Sequence, residues 1–158
     1  VSEEIECFEA ATAGHLDDIR GLFLEYADSL VFDLEFQDFK SELESLPGEY
    51  SEPNGCLIIA CFGGEIAGCA ALRRISEGVC EMKRMYVKPE FRRKGIGREL
   101  AGAIIRKARE QGYKRMRLDT VPTMRAAVGL YRKLGFKVID PYRFNPIEGA
   151  IFFELQLT

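Results

Sequence analysis

Residues 81–98 read EMKRMYVKPEFRRKGIGR, and their reading decides the fold. Met82, Met85, Tyr86 and Val87 are strand-type apolar residues. Pro89, which cannot donate to a sheet ladder, ends the run. Arg92-Arg93-Lys94-Gly95-Ile96-Gly97 follows, and a helical pattern begins at once. A strand, a basic glycine-bearing loop and a helix start make an anion site. Glycine lets backbone approach a ligand closely, and the free N–H groups of a helix start point at negative charge. The loop matches neither a Walker A motif, since no Gly-Lys-Ser/Thr follows, nor the GxGxxG dinucleotide fingerprint.

The strand itself carries an irregularity. By alternation Met82 shares a face with Arg84 and Tyr86, while Met85 and Val87 share the opposite one. A bulge near Lys83-Arg84 changes the parity and brings the apolar residues into register. The other reading is an ordinary strand with two exposed basic residues.

Working outward, residues 5–10 read as a short strand and Thr12 as the N-cap of a helix. Leu16, Ile19, Leu22, Phe23, Tyr26, Ala27 and Leu30 recur at helical spacing. A second helix carries Phe36, Phe39, Leu43 and Leu46 and stops at Pro47-Gly48; its outer face, with Asp33, Glu35, Asp38, Glu42 and Glu44, is acidic. The two helices read either as one wall of a substrate cleft or as plain sheet packing. Residues 56–62 are a continuous apolar strand, Gly63-Gly64 signals a hairpin, and residues 66–72 return beside it. Past the basic loop, residues 95–111 are helical and 114–119 alternate as a strand, so strand, helix and strand form a parallel crossover. A helix over 124–134 ends at Gly135. Strands at 136–139 and 150–157 flank a turn-rich loop holding Tyr142 and Phe144.

The loop resembles the acetyl-coenzyme A signature of the GNAT superfamily of N-acyltransferases, Arg/Gln-x-x-Gly-x-Gly/Ala, here Arg92-x-x-Gly95-x-Gly97. A second signature of that family, Leu-Tyr-x-x-x-Gly-Phe, is matched by Leu130-Tyr131-Arg132-Lys133-Leu134-Gly135-Phe136. The element order β-α-α-β-β-β-α-β-α-β-β is also the family's, so the resemblance spans nearly the whole chain. It implies one domain over residues 1–158, of mixed α/β (α+β) class. The central sheet is mostly antiparallel and flanked by helices, with one parallel β-α-β crossover and a splayed, bulged central strand.

The resemblance also implies chemistry: acetyl transfer from acetyl-CoA to a primary amine by direct attack in a ternary complex. Neutral amine, oxyanion and departing thiolate each need a partner. For cofactor binding it implies the opened backbone of Met85, Tyr86 and Val87 along the pantetheine arm. The backbone of Arg93, Lys94, Gly95, Ile96, Gly97 and Arg98 takes the diphosphate, with the side chains of Arg92, Arg93 or Lys94 reaching phosphates. It places the Met85 N–H on the oxyanion, the Tyr131 hydroxyl near the sulfur, and Glu81 as a base, acting directly or through water. Glu81 has a second reading, a carboxylate paired with Lys83 or an arginine, and Tyr131 a second as a core tyrosine. Met124 stands where many relatives have an asparagine that contacts the cofactor.

Composition narrows the classes. The chain has 158 residues and a net charge of −3, unevenly spread. Residues 1–80 hold 4 Lys/Arg against 17 Asp/Glu, and residues 81–117 hold 13 against 4. A basic middle suits a polyanion such as coenzyme A, and an acidic remainder suits a cationic amine, either a small molecule or a peptide or protein amine. An acidic chain without aromatic-basic repeats speaks against a nucleic-acid partner. The longest unbroken apolar run, residues 56–62, is too short to cross a membrane as a helix. Five cysteines without a CxxC pair and a single histidine argue against a metal site and for reduced thiols in a cytoplasmic protein. A homodimer, frequent in the family, is left open. The rival reading is a non-catalytic acyl-CoA-binding sensor.

Overall fold

A computed structural model of the chain describes residues 4–30, 34 and 38–158. The elements in order are β1 (Ile5–Glu9), α1 (Ala13–Ser29), α2 (Phe39–Ser45), β2 (Cys56–Phe62), β3 (Glu65–Ser76), β4 (Val79–Val87), α3 (Ile96–Glu110), β5 (Arg115–Thr120), α4 (Arg125–Lys133), β6 (Lys137–Ile139) and β7 (Ile151–Gln156). Single 3-10 turns lie at Gly48–Tyr50 and Pro89–Phe91. The strands form one sheet of order β1-β2-β3-β4-β5-β7-β6. Every neighbouring pair is antiparallel except β4 and β5, which α3 connects.

Each sheet face buries its own core. On one, α3 presents Ile96, Leu100, Ala101, Ile104 and Ile105 to Ile58, Leu72, Met82, Met116 and Phe153. On the other, Ile19, Leu22 and Phe23 of α1 pack on Leu57, Ile59, Cys69 and Tyr86. The expected N-cap of α1 is in place: the Thr12 hydroxyl accepts from His15 N at 3.1 Å, and His15 Nδ1 accepts from Ala11 N at 3.0 Å. The chain's one histidine is thus part of a helix cap. The second helix starts at Phe39 among the described residues, and Asp33, Glu35 and Phe36 of its expected span lie outside them. β3 runs on to Ser76, beyond the expected end, because Arg73 and Arg74 continue the ladder opposite Glu81 and Cys80. All five cysteines are free.

The bulge in β4 is present. Cys69 pairs with Tyr86 and Ala71 with Lys83, so Ala70 alone opposes Arg84 and Met85. Arg84 takes the left-handed conformation, φ 58°, which costs a side-chain-bearing residue energy that packing must supply. The extra residue restores parity. Met82, Met85 and Val87 all join the α3 face, while Tyr86 joins the α1 face. Beside the bulge, Gly68 is required by space: a Cβ there would run into the Tyr86 carbonyl and lie 3.2 Å from Val87 Cα.

β4 and β5 pair only where Val79, Cys80 and Glu81 meet Arg115, Met116 and Arg117. Past Glu81 the two parallel strands separate, and the opening lies next to the bulge.

Gly68→Ala should therefore destabilise the protein by about 1–3 kcal/mol, the cost of forcing one carbon into a packed interior. Urea unfolding measures it, and a variant as stable as the parent would show that the bulge backbone can yield.

Candidate active site

Two cavities meet at the bulge. A groove of about 770 Å³ is lined by Met85, Tyr86 and Val87 of β4, by Arg92, Arg93, Gly95, Ile96 and Gly97, and by the start of α4. A second space, about 50 Å³, fills the opening between β4 and β5; Met82, Lys83, Arg84, Met85, Leu118, Asp119 and Tyr131 are among its walls. Tyr26, Met85 and Met124 border both. A substrate laid along the groove therefore reaches the small cavity at Met85.

The groove's basic end gathers backbone donors and arginines. Gly95 caps α3 at φ 84°, a conformation that favours glycine, and Arg93 before it stands at φ 65°. Among the described residues no backbone carbonyl accepts from the amides of Arg93 to Arg98; the first α3 bond that closes across the cap runs from Glu99 N to Gly95 O, 3.1 Å. Six consecutive donors at a helix start fit a diphosphate. The side chains part company. Arg92 Nε donates to Val87 O at 3.0 Å, with its guanidinium 6.0 Å from the Tyr86 ring centre. Lys94 Nζ lies 5.0 Å from the Phe62 ring centre. Arg92 and Arg93 line the groove, whereas Lys94 and Arg98 do not. Arg125, which no motif singled out, does line it, and the exposed first turn of a helix after a loop is too common a pattern to have marked it in advance.

Tyr131 and Met85 come together at the small cavity. The tyrosine is buried against Phe136 and Phe153. Burial pushes its hydroxyl well above the usual tyrosine range, so it keeps its proton at neutral pH and can donate. Met124 occupies the junction of the two spaces, and the Thr120 hydroxyl donates to its sulfur at 3.7 Å.

Glu81 lies apart from both cavity linings. It is fully buried and both carboxylate oxygens are engaged. Oε1 accepts from Arg73 Nε at 2.8 Å; Oε2 accepts from the Tyr142 hydroxyl at 2.6 Å and from Arg143 Nη2 at 2.7 Å. Burial works to raise its pKa, but the charges of Lys83, Arg143 and Arg73 and the Tyr142 bond outweigh it and hold the carboxyl below its ordinary value. The same contacts tie down the β6–β7 loop, whose Asn145 donates to Asp119 Oδ2 at 3.0 Å and borders the small cavity.

Lys83 and Arg84 are buried, at 7% and 4% exposure, against the alternative that they project into solvent. Arg84 forks onto Glu42 of α2, Nε to Oε2 at 2.8 Å and Nη2 to Oε1 at 2.9 Å. That pair holds α2 on the sheet and anchors the strained residue. Of the expected acidic wall, Glu42 turns inward to Arg84 and, among the described residues, α2 contributes nothing to either cavity, while Asp33 and Glu35 lie outside the described residues. Lys83 is pushed down to about 7, chiefly by burial, then by Arg84, with Arg143 and Arg73 adding to the effect and Glu81 opposing it. A lysine in mid-strand gives no sequence signal of that kind.

The model of the acetyltransferase (GNAT) family matches residues 16–136. The chain belongs to that family. An uncharacterised N-acetyltransferase of Schizosaccharomyces pombe is 38% identical over 145 residues, covering 90% of this chain and 89% of that protein. A GNAT acetyltransferase of Staphylococcus aureus superposes with a TM-score of 0.80 at 21% identity, over 98% of this chain and all of that one. A Salmonella typhimurium acetyltransferase solved with acetyl-CoA gives 0.71 at 20% identity, over 98% and 94%. These two structures are similar in fold. Family membership makes the chain an acetyl-CoA-dependent acyltransferase, and the groove's residues suit that co-substrate.

Glu42, also held below its ordinary pKa because the Arg84 bonds and charge outweigh burial, sets an acid limit. A depressed carboxyl contributes stability above its unfolded value, about 4.3, and loses it as pH falls through the folded value. The stability that Glu42 contributes should thus be level near neutrality and fall below about pH 4.5. Glu42→Gln should lower the neutral plateau by about 3 kcal/mol, since it strips a buried arginine of its carboxylate, and flatten the acid slope; urea unfolding against pH reads both.

Proposed function

We propose that the protein transfers acetyl from acetyl-CoA to a primary amine by direct attack in a ternary complex. The observation that carries the reading is the junction at Met85. There a groove that starts at unengaged helix-start amides meets a buried cavity holding Tyr131.

In this reading the amides of residues 93–98 hold the diphosphate and Arg92 and Arg93 add charge. The opened backbone of Met85 to Val87 pairs with the pantetheine arm. The Met85 N–H donates to the carbonyl oxygen as charge gathers there, and the Tyr131 hydroxyl gives a proton to the leaving sulfur. The acceptor enters the small cavity. Its described wall holds Lys83 and Arg84 and one carboxylate, Asp119, already bonded to Asn145. The amine is a small molecule or the end of a peptide. Glu81 serves as a positioning residue: three donors saturate its carboxylate and through them it fixes the Tyr142–Asn145 loop.

A thermal shift with acetyl-CoA, followed by thiol release with spermidine, lysine, aspartate and a short peptide as acceptors, tests the reading. Native-state binding must raise the melting point. An unchanged melting point at saturating acetyl-CoA would refute it, and binding without turnover would favour an acyl-CoA sensor. Tyr131→Phe should cut kcat about 100-fold while leaving the acetyl-CoA shift in place. Glu81→Gln should keep that shift but lower kcat/KM for the amine by up to about 100-fold through loop misplacement, mostly in KM. A loss confined to kcat, with KM for the amine unmoved, would return Glu81 to the role of base.

A further inference from the structure

Beyond the transfer reading, on which it rests, the structure assigns the proton-accepting step to Lys83: we propose that its neutral amine deprotonates the acceptor before attack.

Lys83 sits two residues before Met85 on the bulged strand and forms part of the wall of the small cavity, facing the same space as Met85 and Tyr131. Among the described residues this cavity is where groove and acceptor side meet, so a base must act here. Glu81, the other ionisable group on that strand face, is outside the lining and saturated by Arg73, Tyr142 and Arg143. Asp119 is in the lining, but Asn145 and Arg143 engage it.

The electrostatics agree. The described groups around Lys83 are Glu81 and Arg84 on its own strand, Arg73 from β3, Arg143 from the β6–β7 loop and Asp119 from β5. Glu42 of α2 acts from beyond Arg84, and Tyr26 and Tyr131 stand across the cavity. Burial and three guanidiniums disfavour an ammonium here and hold Lys83 near 7, with the charge of Glu81 opposing them. The same positive surroundings disfavour an ammonium on the acceptor and so ease its loss of a proton. A lysine poised near neutrality is matched to general-base work.

The step balances. Lys83 Nζ takes one proton from the acceptor's ammonium. The freed lone pair forms the new C–N bond and the carbon–sulfur bond breaks with its electron pair left on sulfur. The nitrogen's surplus proton reaches that sulfur through the Tyr131 hydroxyl, which donates its own and is replenished. Lys83 then releases its proton to water. Ammonium and thioester become amide, thiol and one proton.

Two measurements on the full chain test this. The first needs no acceptor: Lys83 Nζ is titrated by heteronuclear NMR in the free protein, its signal assigned by its absence in Lys83→Arg. A midpoint near 7 is expected, and one near the ordinary lysine value of about 10.4 overturns the proposal. The second is the pH profile of kcat/KM with the best acceptor of the amine panel. The parent should climb to a plateau through a one-proton limb near 7. Lys83→Arg, charged at every pH tested, and Lys83→Met should each lose about 100-fold together with that limb, while keeping the acetyl-CoA thermal shift. Either variant that folds, binds acetyl-CoA and keeps the limb overturns the assignment. If the parent itself binds acetyl-CoA yet turns over no amine, the transfer reading has failed, and the base role falls with it.

Discussion

Arg84 adopts a left-handed backbone in the middle of a central strand, and much of the site depends on that one residue. The conformation inserts an extra residue opposite Ala70 and turns Met85 and Val87 onto the α3 face. It thereby brings Met85 to the border of both cavities. Such strain persists only where surrounding contacts over-determine it. Here those contacts are the two-pronged bond to Glu42, the Phe39 ring 5.2 Å from the guanidinium carbon, and Gly68, whose missing side chain admits the Tyr86 carbonyl. α2 is small, yet it supplies both Glu42 and Phe39, which gives it a role in shaping the strand beneath it.

Charge is distributed around the bulge in two different ways. At the groove's outer end, backbone amides and Arg93 lie in a wide opening, where an anion meets donors that cost nothing to arrange. On the α1 face, cations are buried and mostly matched: Arg84 with Glu42, Arg73 with Glu49 and Glu81, Arg143 with Glu81 and Asp119. Glu81 stands at the centre of that lattice, joining β3, β4 and the β6–β7 loop. Engaging a buried carboxylate in this way ties a loop to the sheet and favours the charged form of the group. Lys83, two residues on, is subject to the opposite pressure and is held near neutrality. Adjacent positions on one strand face thus acquire different protonation tendencies from their partners alone.

The fold was largely legible in residue patterns. β2 begins and ends at the residues its apolar run marked, and β4 stops before Pro89, because Gly63-Gly64 and Pro89 punctuate them locally. The bulge was legible too, since a strand that must bury Met82, Met85 and Val87 together cannot keep strict alternation. The inward turn of Glu42 was not legible. Glu42 looks solvated on a helical wheel, and its inward turn depends on a left-handed arginine 42 residues away. Lys83 left no trace, because a lysine's environment is set by what packs over it.

Local chemistry along the chain was sufficient for the element order, the glycine-capped helix start at Gly95 and the family signature at Tyr131, since each rests on residues close in sequence. The tertiary structure alone decided that Met85 joins two cavities, that Glu81 is spent on Arg73, Tyr142 and Arg143, and that Lys83 is buried among guanidiniums. Those outcomes depend on long-range pairing, and the protonation state of a buried group follows from neighbours that the chain order does not bring together.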